Sequence, residues 1–237
     1  MNETKDAVIL AGGLGNRLRP FTETIPKPLL PIGEKAILEI QIELLKKYGF
    51  ERIFIATNYK SDFIEKFLGN GSRYGVKLFY SKEEIPLGTA GPIKLLENKL
   101  DDNFIVINGD IISLINFKEF CDFSKNKNTI LSLSIKRHSL PYLFGNIYFK
   151  DDFVTDIEEK PVIETYALAG IYFMKKETLS YIPKKEYFGM DKLIKKLLSE
   201  NIKISKYELK EYWLDVGNID NLEHAQELYN EHLKDKI

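Results

Sequence analysis

A short stretch near the N-terminus has the residue types needed to hold a phosphate. An apolar run, Ala7 to Ala11, stops at Gly12 and Gly13, with Gly15 close behind. Arg17, Arg19 and Lys27 follow, the lysine lying between Pro26 and Pro28. Glycine lets backbone N–H groups approach an anion with no Cβ in the way. Guanidinium and ammonium groups then neutralise what the loop has cradled. A buried strand running into such a loop is how α/β folds present a phosphate site. Two familiar loops are excluded: no Gly-Lys-Ser or Gly-Lys-Thr is present, and Leu18-Arg19-Pro20 stands where a dinucleotide fingerprint needs its third glycine. A glycine-rich turn alone is only a tight turn. The cations beside it argue for an anion site.

Two carboxylates sit where a hard cation could use them. Asp110 ends an apolar strand through Asn108-Gly109, and Asp215 lies within Trp213-Leu214-Asp215-Val216-Gly217. Mg²⁺ takes one or two carboxylates and completes its shell with phosphate oxygens and water. Each acid also fits a local role, Asp110 as a turn cap and Asp215 as a helix N-cap, although Asn218 is better placed for the latter. Taken with the cationic loop, the pair outlines a metal–nucleotide site. Glu158-Glu159-Lys160-Pro161 offers a carboxylate for sugar hydroxyls and a lysine for a sugar phosphate, and reads equally as a solvated turn. His138, His224 and His232 lack metal-ligand spacing, and no nucleophile elbow is present.

The elements that must position these groups alternate in the first half of the chain. Ala7–Ala11, Arg52–Thr57, Val76–Tyr80 and Phe104–Ile107 read as strands. Helical spacing at Ile37 to Tyr48 and at Phe63, Ile64 and Phe67 falls between them. Pro86-Leu87-Gly88-Thr89-Ala90-Gly91 is a second glycine loop, predicted to open a helix through Leu96 with Thr89 as N-cap. Such alternation implies a mainly parallel, doubly wound sheet with its loops gathered at one edge. The second half differs. Phe117 to Phe123 reads as a helix, and Thr129–Ile135, Gly145–Phe149, Phe153–Ile157 and Ala167–Met174 as strands with little helix between them. Helices at Met190–Leu198 and Asn218–Leu233 bracket a strand at Lys203–Leu209. This describes a mixed or antiparallel extension across one edge of the sheet.

Composition narrows the function classes. The 237 residues, 44% hydrophobic and 29% charged with a formal charge of −1, argue against a nucleic acid or an anionic membrane as partner. The lone Cys121 reads as a small core residue and leaves no internal disulfide, which fits a reducing compartment. The polar start MNETKD has no apolar signal segment, and no apolar run nears the ~20 residues of a membrane span. A soluble cytoplasmic protein is expected.

With its motifs in order, the chain resembles the sugar-1-phosphate nucleotidyltransferase family along nearly its whole length. LAGGLGNRLRP with PKPLLP looks like that family's leading motif, and PLGTAG like its nucleobase loop. NGD and WLDVG are similar to its two metal positions, and EEKP followed by LAGIY to its sugar-binding region. The spellings are most similar to mannose- or heptose-1-phosphate guanylyltransferase-like members. The resemblance implies a Rossmann-like α/β fold whose extension binds sugar. It also implies a single domain over 1–237, with 1–115 mainly for nucleotide and 116–237 mainly for sugar phosphate. The implied reaction is NTP plus sugar 1-phosphate giving NDP-sugar and pyrophosphate, with Mg²⁺ as cofactor. Homo-oligomerisation is left open.

Carried over residue by residue, Leu10, Ala11, Gly12, Gly13, Gly15, Asn16, Arg17, Gly88 and Thr89 would contact the nucleotide. Arg17 would hold the β- and γ-phosphates and Lys27 would stabilise charge at the α-phosphate, with Asp110 the third catalytic residue. Asp110 and Asp215 would hold Mg²⁺, and Gly145, Glu159, Lys160 and Gly170 would shape the sugar pocket. Asn16 departs from the family's usual Thr or Ser, and Phe144-Gly145-Asn146 from the commoner Tyr-Gly-Val. Rival readings are a glucose-1-phosphate thymidylyltransferase, a cytidylyltransferase acting on a phosphorylated non-sugar acceptor, and a non-catalytic nucleotide sensor.

Overall fold

Strand β1 (Asp6–Leu10) explains why its apolar run is unbroken: its side chains alternate between two separate apolar layers. Ala7 and Ile9 enter one layer and Val8 the other. Parallel strands covered on both faces read as continuous hydrophobic runs for this reason. The computed structural model describes residues 4–234. After β1 come α1 (Phe21–Thr24), a small hairpin of β2 (Pro31–Ile32) and β3 (Lys35–Ala36), α2 (Ile37–Lys47) and β4 (Arg52–Thr57). Then follow α3 (Ser61–Leu68), β5 (Lys77–Lys82), α4 (Gly91–Lys94), β6 (Asn103–Asn108) and the short β7 (Ile111–Ser113). In β4, Ile53 and Ile55 join the first layer and Phe54 and Ala56 the second. In β6, Ile105 and Ile107 oppose Phe104 and Val106 in the same way.

The second half supplies α5 (Phe117–Lys127), β8 (Leu131–Pro141), β9 (Gly145–Lys150), β10 (Phe153–Glu159) and β11 (Val162–Lys175). It ends with α6 (Met190–Ser199), β12 (Ser205–Glu208), β13 (Trp213–Asp215) and α7 (Ile219–Leu228). The main sheet has seven strands in the order β12-β8-β11-β6-β1-β4-β5. β1, β4, β5 and β6 are parallel, β11 is antiparallel to both β6 and β8, and β12 is parallel to β8. The expected doubly wound, mainly parallel sheet with a mixed extension is what forms.

β11 is longer than its apolar stretch Ala167–Met174 predicts. Its second half pairs with β6 inside the sheet, the register shifts between Leu168 and Tyr172, and its first half continues along the far end of β8. β9 and β10 form a separate two-stranded ribbon. The helix expected through Leu96 ends at Lys94, because Leu96 N–H bonds to Ile93 O, a tighter turn than an α-helix makes. Among the described residues no helix is long and apolar enough to cross a membrane.

A third apolar cluster ties the two ends of the chain together. Leu18 of the glycine loop, Ile37 and Ile40 of α2, Val216 after β13 and Tyr229 pack in it. α5 closes the first layer through Phe120, which is fully buried and lies 5.1 Å from the ring of Tyr207 on β12. Replacing Phe120 with Ala should therefore destabilise the fold by about 3–5 kcal/mol. In urea this reads as a lower midpoint at unchanged slope.

Candidate active site

Where β1 ends, Ala11 N–H makes a last bond to Ala56 O (2.7 Å) and the chain leaves the sheet. A Cβ on Gly12 would lie 2.9 Å from Glu83 Oε1, so the bare glycine lets the loop pass close over that carboxylate. Gly13 has open space beside it. Gly15 has φ +66 and takes the left-handed turn that starts the short 3₁₀ helix Asn16–Leu18. The Thr22 hydroxyl donates to Gly15 O (2.9 Å) and pins that turn.

The loop forms one wall of a cleft of about 670 Å³ at the carboxyl edge of the parallel strands. Leu10, Gly12, Gly13, Gly15, Asn16, Arg17, Lys27, Gly88, Thr89 and Asp110 all line it. Ala11 lies behind the wall and is buried. Thr89 does not cap the helix that follows it. Ala90 N–H and Gly91 N–H both bond to Phe188 O, so the loop folds against the start of α6, and Thr89 Oγ1 accepts Met190 N–H (2.8 Å) there.

Cations and acids interleave at the floor. Lys27, only 7% exposed, donates to Asp110 Oδ2 in an ion pair. Pairing of β7 with β13 sets Asp215 opposite Ile111, and Val216 N–H bonds to Asp110 O (2.9 Å), which brings the second acid beside the first. A Cβ on Gly217 would lie 3.0 Å from both Arg17 Nη2 and Asp215 Oδ1. Asp215 Oδ1 is buried with no hydrogen-bond partner. Burial, and then the charge of Asp110, push its carboxyl above the usual range, while Lys27 and Arg17 pull it down. Among the described residues no cluster of three or more His, Cys, Asp or Glu could hold a metal alone. Two carboxylates, one with an orphaned oxygen, instead suit a hard cation that takes its remaining ligands from phosphates and water.

Three polar residues to which the sequence assigned no role line or support the cleft. Gln41 lies on the buried face of α2, and its Nε2 donates to Asn108 O (2.9 Å) and Ile111 O (2.7 Å), clasping the turn that carries Asp110. A polar residue among apolar positions at helical spacing is the signal that could have found it. Asn108 lines the cleft with its Oδ1 buried and unpartnered. Glu83 is buried beneath the second glycine loop, where its Oε2 accepts Leu87 N–H (2.7 Å). Burial raises its carboxyl above the usual range, opposed by the Leu87 N–H and the Asn58 side chain. In the sequence it is one acid of a Lys-Glu-Glu run that is part of no motif.

The sugar-side candidates divide. Gly170, with φ +71, abuts the Asn108 amide, where a Cβ would come 2.7 Å from Nδ2. Gly145 and Glu159 pair across the β9–β10 ribbon, where a Cβ on Gly145 would lie 3.1 Å from Glu159 Oε2. Lys160 follows with a positive φ of 50. Gly145 is half-buried, Glu159 and Lys160 are exposed, and none of the three lines the cleft.

Comparison with known proteins agrees with this architecture. The family profile described as nucleotidyl transferase matches residues 6–232. A mannose-1-phosphate guanyltransferase from Debaryomyces hansenii is 36% identical over 89% of this chain and 60% of its own length. A UTP–glucose-1-phosphate uridylyltransferase from Synechocystis is 30% identical over 90% of this chain and 60% of its own. The chain thus spans about 60% of the length of these curated relatives. Among solved structures, a putative glucose-1-phosphate thymidylyltransferase from Bacillus anthracis has a TM-score of 0.78 at 27% identity, covering 94% of each chain. HddC from Yersinia pseudotuberculosis has a TM-score of 0.76 at 30% identity, covering 95% of this chain and 100% of its own. A matching profile over nearly every residue, on a sheet of the expected topology, makes the assignment direct: the chain belongs to the nucleotidyl transferase family.

Proposed function

We propose that the chain transfers a nucleotidyl group from GTP to a mannose- or heptose-type 1-phosphate, releasing pyrophosphate. The observation that carries the reaction is the interleaving of Arg17 and Lys27 with Asp110 and Asp215 beside an open glycine loop. A phosphate oxygen of the sugar phosphate attacks the α-phosphorus. The bond from that phosphorus to the α–β bridging oxygen breaks, and pyrophosphate leaves with the electron pair. The attacking phosphate is already an anion at neutral pH, so no general base is required. Two polyanions must be brought together in line, and catalysis is mainly positioning and charge screening.

In this reading Gly12 and Gly13 present backbone N–H groups to the triphosphate and Arg17 holds its outer phosphates. Lys27, pre-positioned by Asp110, moves its charge to the α-phosphate as negative charge builds there. Asp110 and Asp215 would hold Mg²⁺, which supplies further screening when bound. The chain acts as one domain, 1–115 mainly holding nucleotide and 116–237 mainly sugar phosphate, with Asp215 crossing back to the first half.

Glu83 supports guanine as the base. A carboxylate offers only acceptors, and the guanine edge presents the N1–H and N2–H donors side by side. Uracil and thymine offer one donor, N3–H, flanked by carbonyl oxygens that would face the same carboxylate. The guanyltransferase relatives at about 35% identity and the structure of HddC complexed with GMP-PN agree with this choice.

A panel of NTPs against sugar 1-phosphates and non-sugar phosphates, read as pyrophosphate release, tests the whole proposal. GTP should lead, and a preference for UTP, dTTP or CTP would overturn the base assignment. Glu83→Gln should lower kcat/KM for GTP about tenfold to a hundredfold, the worth of one hydrogen bond to a charged group. Because Glu83 accepts as the ionised form and burial raises its pKa, the KM for GTP should climb as pH falls through that raised value. It should do so at a higher pH than for an ordinary carboxyl, and the Gln variant should stay flat.

Lys27→Ala should reduce kcat on the order of a hundredfold or more. An unchanged kcat with a raised KM would remove Lys27 from the chemistry. Asp215→Asn deletes a charge that burial and Asp110 both oppose. The variant should melt higher than the parent in chelator and lose any thermal shift that MgCl₂ with GTP gives the parent. If that shift is fully retained, Asp215 is not a ligand.

A further inference from the structure

Tyr187 is the one aromatic ring among the described residues that line the cleft, whose other walls are glycine, proline, aliphatic, polar and charged. It is 62% exposed, which leaves on the order of 100 Å² of a large amphipathic side chain open. A tyrosine standing singly on an ordinary surface needs no explanation. One held in the wall of a polar cleft is a different matter.

The backbone around Tyr187 is locked to the second glycine loop. Phe188 N–H donates to Leu87 O (2.9 Å), and Phe188 O accepts both Ala90 N–H (2.9 Å) and Gly91 N–H (3.0 Å). Glycines let the two backbones come this close. A Cβ on Gly88, whose φ is +80, would lie 2.8 Å from Phe188 O, and one on Gly91 would lie 3.1 Å from Glu186 O. The residues on either side of Tyr187 thus abut the loop, and the ring is carried at a fixed place beside Gly88. Lys192 of α6 sets its Nζ over one face of that ring, 5.4 Å from the centroid. No second ring or cation among the described residues packs against Tyr187, so its opposite face is left for a flat partner.

We propose that Tyr187 stacks on the nucleobase, its ring holding the face of the base while Glu83 reads the edge. This assignment rests on the nucleotide reading of the cleft given above. Every base has a π-face, so stacking adds affinity with little choice among bases, and selection falls to the carboxylate. The two side chains are built for that division. Glu83 is 7% exposed and pinned by Leu87 N–H, whereas Tyr187 is open beside the same loop. The sugar-side candidates do not compete for the ring. Gly170 sits against Asn108, and Gly145 and Glu159 pair within the β9–β10 ribbon.

Calorimetric titration of the full chain with GTP, ITP and inorganic tripolyphosphate, each with MgCl₂, tests this. GTP and ITP share a ring system and differ at the edge. Tyr187→Ala should weaken both by the same factor, about tenfold to a hundredfold, the worth of one base–aromatic stack. Tripolyphosphate, which has no base, should bind the parent and this variant alike, and the two should melt together because the side chain is exposed. Tyr187→Phe keeps the ring and should keep the parent's affinity for both nucleotides. Equal GTP affinity in the parent and Tyr187→Ala overturns the proposal. So does a loss in Tyr187→Phe as large as in Tyr187→Ala, a loss confined to GTP, or one shared by tripolyphosphate or accompanied by a lower melt. A parent that binds no nucleotide and releases no pyrophosphate instead sinks the nucleotide reading itself, and the stacking assignment with it.

Discussion

The ion pair between Lys27 and Asp110 is the constraint around which the rest of the molecule is organised. An ammonium this deeply buried is tolerable only beside a carboxylate, because each charge alone would lose several kcal/mol of hydration. The pair does not neutralise its surroundings, however. Asp215 adds a second acid whose Oδ1 has no partner, and Arg17 adds a second cation on the other side of Gly217. Such a group of charges is poor for stability, and in the proposed function ligand phosphates and a hard cation would give every member a partner.

Holding those charges in place falls to groups with no direct part in the chemistry. Gln41 clasps the turn before and after Asp110 through two carbonyls, from the otherwise apolar face of α2. The β7–β13 pairing delivers Asp215, and the cluster of Leu18, Ile37, Ile40 and Val216 anchors the glycine loop to the same platform. Thr22 and the left-handed Gly15 set the direction in which Arg17 leaves the loop. The site is thus a junction of segments far apart in sequence, made rigid by packing below it.

The extension obeys different physics from the sheet. The inner strands β1, β4 and β6 alternate between two covered layers and bury nearly every side chain, whereas the ribbon exposes both of its faces. Ile147, Phe149, Val154 and Ile157 form an apolar strip along one of them, and Glu159 and Gly145 lie at its root, next to Ile157. The glycine loop and its charges are built into the core. Gly145, Glu159 and Lys160, the sugar-side candidates, sit on or beside the ribbon, outside that core.

Much of this was written locally. The apolar runs of β1, β4 and β6 had to be buried strands, since no other placement hides that many consecutive large side chains. The glycines, Arg17 and Lys27 occupy one short segment, so their association required no knowledge of the fold. What only the tertiary structure decided are the relations that short-range physics does not reach. Asp215 finds Asp110 through strand pairing across about a hundred residues, and Gln41 and Glu83 owe their roles to burial that their own neighbours in sequence do not reveal. Thr89 caps a distant helix because its loop folds onto that helix and not onto its own. The ribbon's two strands were legible, but its outward-facing apolar strip was not. Periodicity tells which side chains share a face, and only the packed chain tells whether anything lies opposite.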